Sequence, residues 1–520
     1  MSCRTKESEP FDVAVIGAGI SGLATAKCLL DDKFSIIVYE QSDHIGGLWQ
    51  FQEDGYGVMR FTHINVSKHN YCFSDYPFPD ETPDFPHHLH MMQYVHNYAK
   101  HFNLLRHIIF KTKVVTINRM DTGLWAVTSR KIDSDEAETT QLFRYVAIAT
   151  GHHATPIHPS FPGQSNFKGE IIHSVSYKDA ATNGLVGKKI VVVGIGNSAV
   201  DVAVNVAEMG GTKPVTVTTR SGAWIIPNYI AGCPTDHYAC RAFLWLPWKV
   251  SSTIFGWIVR CVFGSPYKWG LNPKMGALQT QPTVSPTLIH HIQRTNIIIK
   301  PNISRFEENK VVFTDGSKVD ADVVVCCTGY TINLPFLSDD VKSTVVEEGT
   351  NKTKLFKNVF SPQLGPSIAF IGFSQPASGG LLPMSEIQAR WFSELCKGTV
   401  KLPDAKIMQE IMKEEQQHFE TRYHASARHT IQRDPIVYID DISSYFGAKP
   451  QFWKHPSLAW RLLVGTCGAA QWRLQGPHKW SKAKQTVQSV PVTPMMHYFG
   501  LVALLLPLLI ISAVVCKFCC

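Results

Sequence analysis

Two glycine-rich runs in this chain have residue types and spacings that could do chemistry. The first is Gly17-Ala18-Gly19-Ile20-Ser21-Gly22; the second is Gly194-Ile195-Gly196-Asn197-Ser198-Ala199, continued by Val200 and Asp201. In such a run the first glycine makes a tight turn and the second lets the backbone approach a pyrophosphate. The third position is small so that helix and strand pack closely, and alanine is permitted there. The free N–H groups of the helix that follows attract the anion. Both runs are therefore expected to cradle dinucleotides, and they differ in the residue that ends the next strand. After the first it is Glu40, which can accept hydrogen bonds from ribose hydroxyls and would repel a 2′-phosphate, so that site should take FAD or NAD. After the second it is Arg220, whose guanidinium can pair bidentately with a 2′-phosphate, so that site should prefer NADPH.

The elements that must position these residues are legible around them. Phe11–Ile16 reads as a buried parallel strand, 23–30 as a helix and 35–39 as the second strand. The pattern repeats with a strand over 186–193, a helix to Ala207 and a strand over 215–219. A hairpin over 310–319 turns at Asp315-Gly316, and a buried strand over 321–327 leads into Thr328-Gly329-Tyr330. The earlier run Val146 to Gly151 is its counterpart, and both read as crossings between two units. The expected fold is α/β, with two Rossmann-like domains, the second inserted in a split first. The expected divisions are 1–165 (FAD, first part), 166–325 (NADPH, with a membrane-associated or substrate-access insertion near 225–285), 326–445 (FAD, second part), 446–496 (C-terminal region) and 497–517 (anchor).

Composition sets the class. With 520 residues, 44% hydrophobic and 18% charged, the chain is globular and exceeds a single core. A net charge of +8 with scattered lysines and arginines argues against nucleic-acid binding. The 13 cysteines lie mostly singly, which suits a reducing compartment. From Tyr498 to Cys516 the chain is apolar apart from Ser512, close to the roughly 20 residues that span a bilayer. Lys479, Lys482 and Lys484 precede that run, so the expected topology is a single-pass C-terminal anchor with a cytosolic body. The stretch 242–263, with Trp245, Trp248 and Trp257, suits either a membrane interface or a buried helix pair covering the active site. No metal is expected from His87, His88 and His90, because no cysteine or acid lies at ligand spacing.

Gly46-Gly47-Leu48-Trp49 resembles the second glycine pair that some flavoproteins carry after the acid, which points to FAD at the first site. Between the two turns, Phe167-Lys-Gly169-Glu-Ile-Ile-His173-Ser-Val-Ser-Tyr177 fits the pattern F-x-G-x-x-x-H-x-x-x-Y. On these residues the chain resembles the flavin-containing monooxygenases, in their animal, membrane-bound branch. Asn65-Val66-Ser67-Lys68, Cys72-Phe-Ser-Asp75, Arg220-Ser-Gly-Ala-Trp224, Gly270-Leu-Asn-Pro273 and Glu386-Ile-Gln-Ala-Arg-Trp391 extend the likeness over nearly the whole chain. It departs at Val66, where a hydroxyl residue is common, and at Ala199, where glycine is frequent.

That resemblance implies NADPH reducing FAD, O₂ adding to give a flavin C4a-hydroperoxide, and a soft nitrogen or sulfur of a small lipophilic substrate taking its distal oxygen. The cofactor carries the hard chemistry, so no protein nucleophile is sought. Asn65 is the candidate catalytic residue, because its amide can donate and accept at once beside FAD and retained NADP⁺. The flavin set is Gly17, Ala18, Gly19, Ile20, Ser21, Gly22, Glu40, Gly47, Leu48, Trp49, Asn65 and Val66. The NADP set is Ile64, Asn65, Gly194, Gly196, Asn197, Ser198, Ala199, Val200, Asp201 and Arg220. His173 and Tyr177 are expected to be structural. An endoplasmic-reticulum location is expected by the same resemblance, and homo-oligomerisation stays open. So do the rivals that share these cofactors, a Baeyer–Villiger monooxygenase or an NADPH oxidase. A non-enzymatic redox-sensing scaffold is disfavoured by the intact turns.

Overall fold

The computed structural model describes residues 11–494 and 496, apart from 135, 211, 348–349 and 425–429. Its first sheet is built from β1 (Phe11–Ile16), β2 (Ile36–Tyr39), β3 (Ile108–Ile109), β4 (Thr112–Arg119), β5 (Trp125–Lys131) and β6 (Thr139–Ile148), in the order β3-β2-β1-β6-β5-β4. The strand Ile368–Phe370 comes back from far along the chain to pair in parallel with β6. Helix α1 (Ile20–Asp31) connects β1 to β2, and α2 (His88–His101) precedes β3. The three-stranded part β4-β5-β6 is antiparallel, while β1 pairs in parallel with both β2 and β6.

β1 is apolar at successive positions because both faces of the sheet are covered. Val13 and Val15 join a core with α1 and the helix Leu381–Cys396, while Ala14 and Ile16 point the other way, into a core with Trp125, Phe143 and Phe370. Period two along the strand assigns alternate residues to opposite layers. The helix Leu381–Cys396 is buried from Leu382 to Cys396.

The second sheet is wholly parallel, in the order Ile297–Lys300, β10 (Thr212–Thr218), β9 (Lys189–Val193), Val323–Cys326, β8 (Glu170–His173). Helix α3 (Asn197–Glu208) connects β9 to β10. Ile190 and Val192 face α3, and Val191 and Val193 face the hairpin made by Lys310–Phe313 and Lys318–Asp320. Where the chain leaves the first sheet and re-enters it, β7 (Thr155–Pro156) pairs antiparallel with Tyr330–Thr331, so the two crossings run side by side.

Between β10 and Ile297–Lys300 the chain carries three α-helices, Arg241–Leu244, Trp248–Phe263 and Leu288–Gln293, of which the first two lie within 241–263. Trp248–Phe263 buries Ser251, Ser252, Gly256 and Val259, and it exposes Val250, Ile254, Trp257 and Val262. Trp257 is 65% exposed and nearby Trp245 59%, so the pair presents an apolar outer face rather than a buried one. No described residue of 241–263 lines the central cleft, and on this point the structure departs from the covering-helix reading. The anchor expected over 497–517 lies outside the described residues; among the described ones, no helix is long and apolar enough to cross a membrane.

Candidate active site

Both glycine turns open into one continuous cleft of about 1150 Å³. A single drug-sized ligand needs roughly 300–1,000 Å³, so this cleft has room for more than one. Among its lining residues Lys113, Arg130 and Arg220 face a single carboxylate, Glu40, an imbalance that suits phosphate-bearing occupants.

The first turn is shaped by glycines that nothing else could replace. A Cβ on Gly17, whose φ is +103°, would stand 2.8 Å from the Ala149 carbonyl oxygen, and one on Gly22 would stand 1.8 Å from that of Gly17. Gly19 differs, since a Cβ there would meet nothing nearer than the Cα of Gly47 at 3.8 Å. Two backbones thus flank an open groove, the space a pyrophosphate requires. Gly46, at φ +97°, closes the loop against Met92, whose sulfur would lie 2.6 Å from an added Cβ. Glu40, the residue after β2, is buried: its Oε2 accepts from the Ala18 N–H at 2.7 Å, and its Oε1 accepts from Ser42 N–H and Oγ–H at 2.8 and 2.7 Å. Oε1 is filled, whereas Oε2 keeps a lone pair for a ribose hydroxyl.

At the second turn Gly194, at φ +123°, packs its Cα face 2.7 Å (Cβ position) from the Cys327 carbonyl oxygen, while nothing lies within 4 Å of a Cβ on Gly196. The tight position and the open position therefore recur in the same order as in the first turn. The Asn197 side chain accepts from the Val284 N–H at 2.9 Å, and Thr283 donates to the Ile195 carbonyl at 2.7 Å, so the inserted segment pins the turn. Arg220 is exposed and lines the cleft beside Ser221.

Of the residues anticipated from sequence, the cleft brings together Gly17, Gly19, Ile20, Ser21, Glu40, Gly47, Leu48, Trp49, Asn65, Gly196, Asn197, Ser198, Ala199 and Arg220. Ala18, Gly22, Ile64, Val66, Gly194, Val200 and Asp201 are not among its lining residues. Ala18 and Gly22 act from beneath, through Glu40 and Gly17, and Ile64 and Val66 are buried on either side of Asn65. Burial pushes the Asp201 carboxyl up to about 7.

Other cleft residues were not anticipated as site residues, because they arrive from distant segments: Tyr56, His152, His153, Ser174, Tyr330, Asn351 and His424. The surrounding cleft walls, helped by neighbouring His152, push His153 down to about 3 although its ring is exposed to the open cleft, and burial lowers half-buried His152. Both imidazoles are neutral at pH 7. Asn351, one of three N-x-S/T sequences, spends its amide on the Ile332 N–H and the Tyr330 carbonyl.

A family model described as flavin-binding monooxygenase-like matches residues 11–491. The chain belongs to this family. It is 37% identical over 509 residues to flavin-containing monooxygenase 5 of Rattus norvegicus, and 34% identical over 496 residues to flavin-containing monooxygenase 3 of Homo sapiens; each match covers 91% of both chains. Among solved structures, S-allyl-L-cysteine S-oxygenase from Allium sativum aligns with a TM-score of 0.64 at 22% identity, covering 92% of this chain and 99% of that one. OTEMO in complex with FAD and NADP aligns with a TM-score of 0.62 at 16% identity, covering 84% and 97%. At these identities the two structures speak to the α/β fold alone.

As a flavin-containing monooxygenase the chain uses FAD and NADPH and incorporates one oxygen atom of O₂. The two open glycine grooves fit these dinucleotides. The family's F-x-G-x-x-x-H-x-x-x-Y run now has a physical reading. A Cβ on Gly169 would collide with the Phe167 ring at 2.4 Å and the Asp322 carbonyl at 2.7 Å. His173, 2% exposed, caps a turn by accepting from the Val175 N–H at 3.1 Å and packs against Tyr330 of the second crossing. Tyr177, 1% exposed, donates to Asn205 of α3 at 2.6 Å. Neither His173 nor Tyr177 is a lining residue of the cleft.

Two other runs that carried the likeness meet in one buried cluster. Asp75 pairs with Lys27 at 2.5 Å and Arg473 at 3.1 Å, and Arg473 pairs with Glu386 at 2.6 Å. Glu386 also accepts from the Ser74 N–H at 2.6 Å. Arg390, crowded by burial and by Arg473, is pushed down to about 9. A chain of ion pairs, Lys27 to Asp75 to Arg473 to Glu386, replaces the water that burial removed.

Proposed function

We propose that this monooxygenase transfers oxygen to soft nucleophilic nitrogen or sulfur atoms of small lipophilic substrates, forming N-oxides and S-oxides. The observation that carries this reading is the make-up of the cleft that Asn65 lines: neutral histidines, aromatic rings, amides, and a lone carboxylate already engaged by Ala18 and Ser42. With Lys113, Arg130 and Arg220 left to the phosphates of the dinucleotides, the remaining walls offer a charged substrate little, and they suit an uncharged amine or thioether whose own lone pair reacts. Bound FAD supplies the oxygen-activating chemistry, with NADPH as electron source and O₂ as oxidant.

The chain's residues do the rest. Gly19 and Gly47 hold the flavin pyrophosphate and Oε2 of Glu40 its ribose; Gly196, Asn197 and Ser198 hold that of NADPH, and Arg220 its 2′-phosphate. Asn65 gives its amide to the reacting region as both donor and acceptor. His152 and His153, kept neutral, bring no loose proton into a site that must stay dry. The family position as a membrane enzyme fits the apolar face at Trp245 and Trp257, with Trp453 75% exposed on the C-terminal segment. We place the body on the cytosolic side of the endoplasmic reticulum, held by the segment 497–517.

The test is competition under ¹⁸O₂. FAD-loaded protein with NADPH receives a tertiary amine, a thioether and a cyclic ketone together. One ¹⁸O in the amine or sulfide product per NADPH supports the reading. Lactone as the dominant product would replace it with Baeyer–Villiger oxygenation, and peroxide alone with an NADPH oxidase.

A further inference from the structure

We propose that Asp236, carried by the segment inserted after β10, is a positioning residue that holds Asn65 in the cleft. The proposal rests on the reading that Asn65 gives its amide to the reacting region, a role whose loss shows as NADPH oxidation uncoupled from oxygen transfer. Asn65 begins a turn that runs to Asn70, and three donors of that turn converge on one carboxylate. Asp236 Oδ1 accepts from the Ser67 N–H at 3.2 Å; Oδ2 accepts from the Ser67 Oγ–H and the Asn70 Nδ2–H, each at 2.7 Å.

The neighbouring groups leave this carboxylate little freedom. Ser67 is fully buried and has a single hydroxyl proton, which goes to Asp236. At 2.9 Å from His237 Nε2 its oxygen must then accept, so His237 carries its proton on Nε2. His237 is itself fully buried, and burial lowers its basicity, which keeps it neutral. Asn70 exchanges hydrogen bonds with Thr466 of the C-terminal segment at 3.0 and 3.1 Å. The inserted segment is anchored in turn: the Arg241 guanidinium makes two 2.7 Å bonds to Asp440.

Ile64 and Val66 are buried, and of these three residues only Asn65 lines the cleft. Any rotation of the turn would therefore be read directly as a displacement of the Asn65 amide. An amide in place of the Asp236 carboxylate has one accepting oxygen and would turn N–H groups toward donors that already need acceptors. The turn would then have no strong grip from the inserted segment.

Full-length FAD-loaded protein carrying Asp236→Asn, Asp236→Glu or Asn65→Asp tests this. Three readouts are taken: peroxide released per NADPH with a thioether present, the anaerobic rate of flavin reduction by NADPH, and amide hydrogen exchange over residues 62–72. Asp236→Asn should raise the peroxide fraction at least fivefold and quicken exchange over 64–70, with FAD content and reduction rate within twofold of the parent. Asp236→Glu should recover at least half of the lost coupling. Tight coupling in Asp236→Asn, while Asn65→Asp uncouples, overturns the positioning role alone; tight coupling in Asn65→Asp overturns the reading of Asn65 beneath it. If Asp236→Asn does not retain FAD, Ser67→Ala replaces it, with at least a twofold rise in peroxide expected and full coupling as the refuting result.

Discussion

Replacing Gly196 with alanine separates the fold from nucleotide binding at the second turn. The protein leaves the space beside Gly196 open, with nothing within 4 Å of an added Cβ, and its φ of −76° suits any residue. At this N-cap position alanine is a poorer cap than glycine, by a few tenths to ~1 kcal/mol. The stiffer unfolded chain offsets about 0.4–1 kcal/mol of that, so stability should change by no more than ~0.5 kcal/mol. NADPH meets a different balance. A methyl group where its pyrophosphate must approach adds overpacking of about 1–3 kcal/mol. Loss of one charge-assisted N–H bond adds about 1.5–3 kcal/mol. Roughly 3 kcal/mol is a factor of more than 100 in affinity.

The matched control is Gly194→Ala, where φ is +123° and the Cβ would stand 2.7 Å from the Cys327 carbonyl oxygen. It should lower thermal stability by several degrees and the yield of folded protein. Thermal unfolding, FAD content and KM for NADPH are measured on both variants. A Gly196→Ala protein of parental stability and full FAD content, but with KM for NADPH within twofold of the parent, would refute the assignment of this turn to NADPH.

Arg220→Gln should weaken NADPH about 10–100-fold, as expected for losing charge-assisted bonds to one phosphate, and leave NADH almost unchanged; steady-state KM for the two nucleotides decides it. Arg473→Met should cost about 3–5 kcal/mol, because it removes the ion-pair partner of buried Glu386 and leaves Asp75 to Lys27 alone, and chemical unfolding of the holoenzyme measures the loss. Burial opposes ionisation of Asp75, but Arg473 and Lys27 outweigh it and hold its carboxyl below the usual carboxylate range. Its contribution is therefore complete above an ordinary pKa of about 3.9 and is lost as pH falls below it; unfolding midpoints between pH 6 and pH 2 should fall more steeply in the parent than in Asp75→Asn. A protein truncated at residue 496 should retain partial binding to lipid vesicles through its apolar face, and Trp245→Ser with Trp257→Ser should abolish that binding in a flotation assay.

Both nucleotide turns were legible in the sequence because their physics is local. A strand of apolar residues, glycines that permit close approach, and a helix start all lie within about twenty residues of chain. Gly17 and Gly22 touch across the turn they form, and Glu40 meets Ala18 across 22 residues. The choice between Glu40 and Arg220 at the strand ends is likewise a matter of which side chain stands there. The likeness of Cys72–Asp75 and Glu386–Trp391 to a family was visible too, but not its reason, since Ser74 and Glu386 meet across 312 positions.

What only the tertiary structure decided are the contacts whose partners share no local pattern. Asp236 reaches Ser67 across 169 residues, and Asn70 reaches Thr466 across 396. Nothing in periodicity or spacing announces such a pair, because its stabilisation comes from burial and hydrogen-bond satisfaction that exist only after two distant segments are packed together. The outward apolar face of Trp248–Phe263 is of the same kind: the run is apolar whether it covers a cleft or faces outward, and its packing on the rest of the molecule determines which side is left exposed. Sequence determined the two glycine turns, through residues acting on their near neighbours; the fold determined how the turn that carries Asn65 is held.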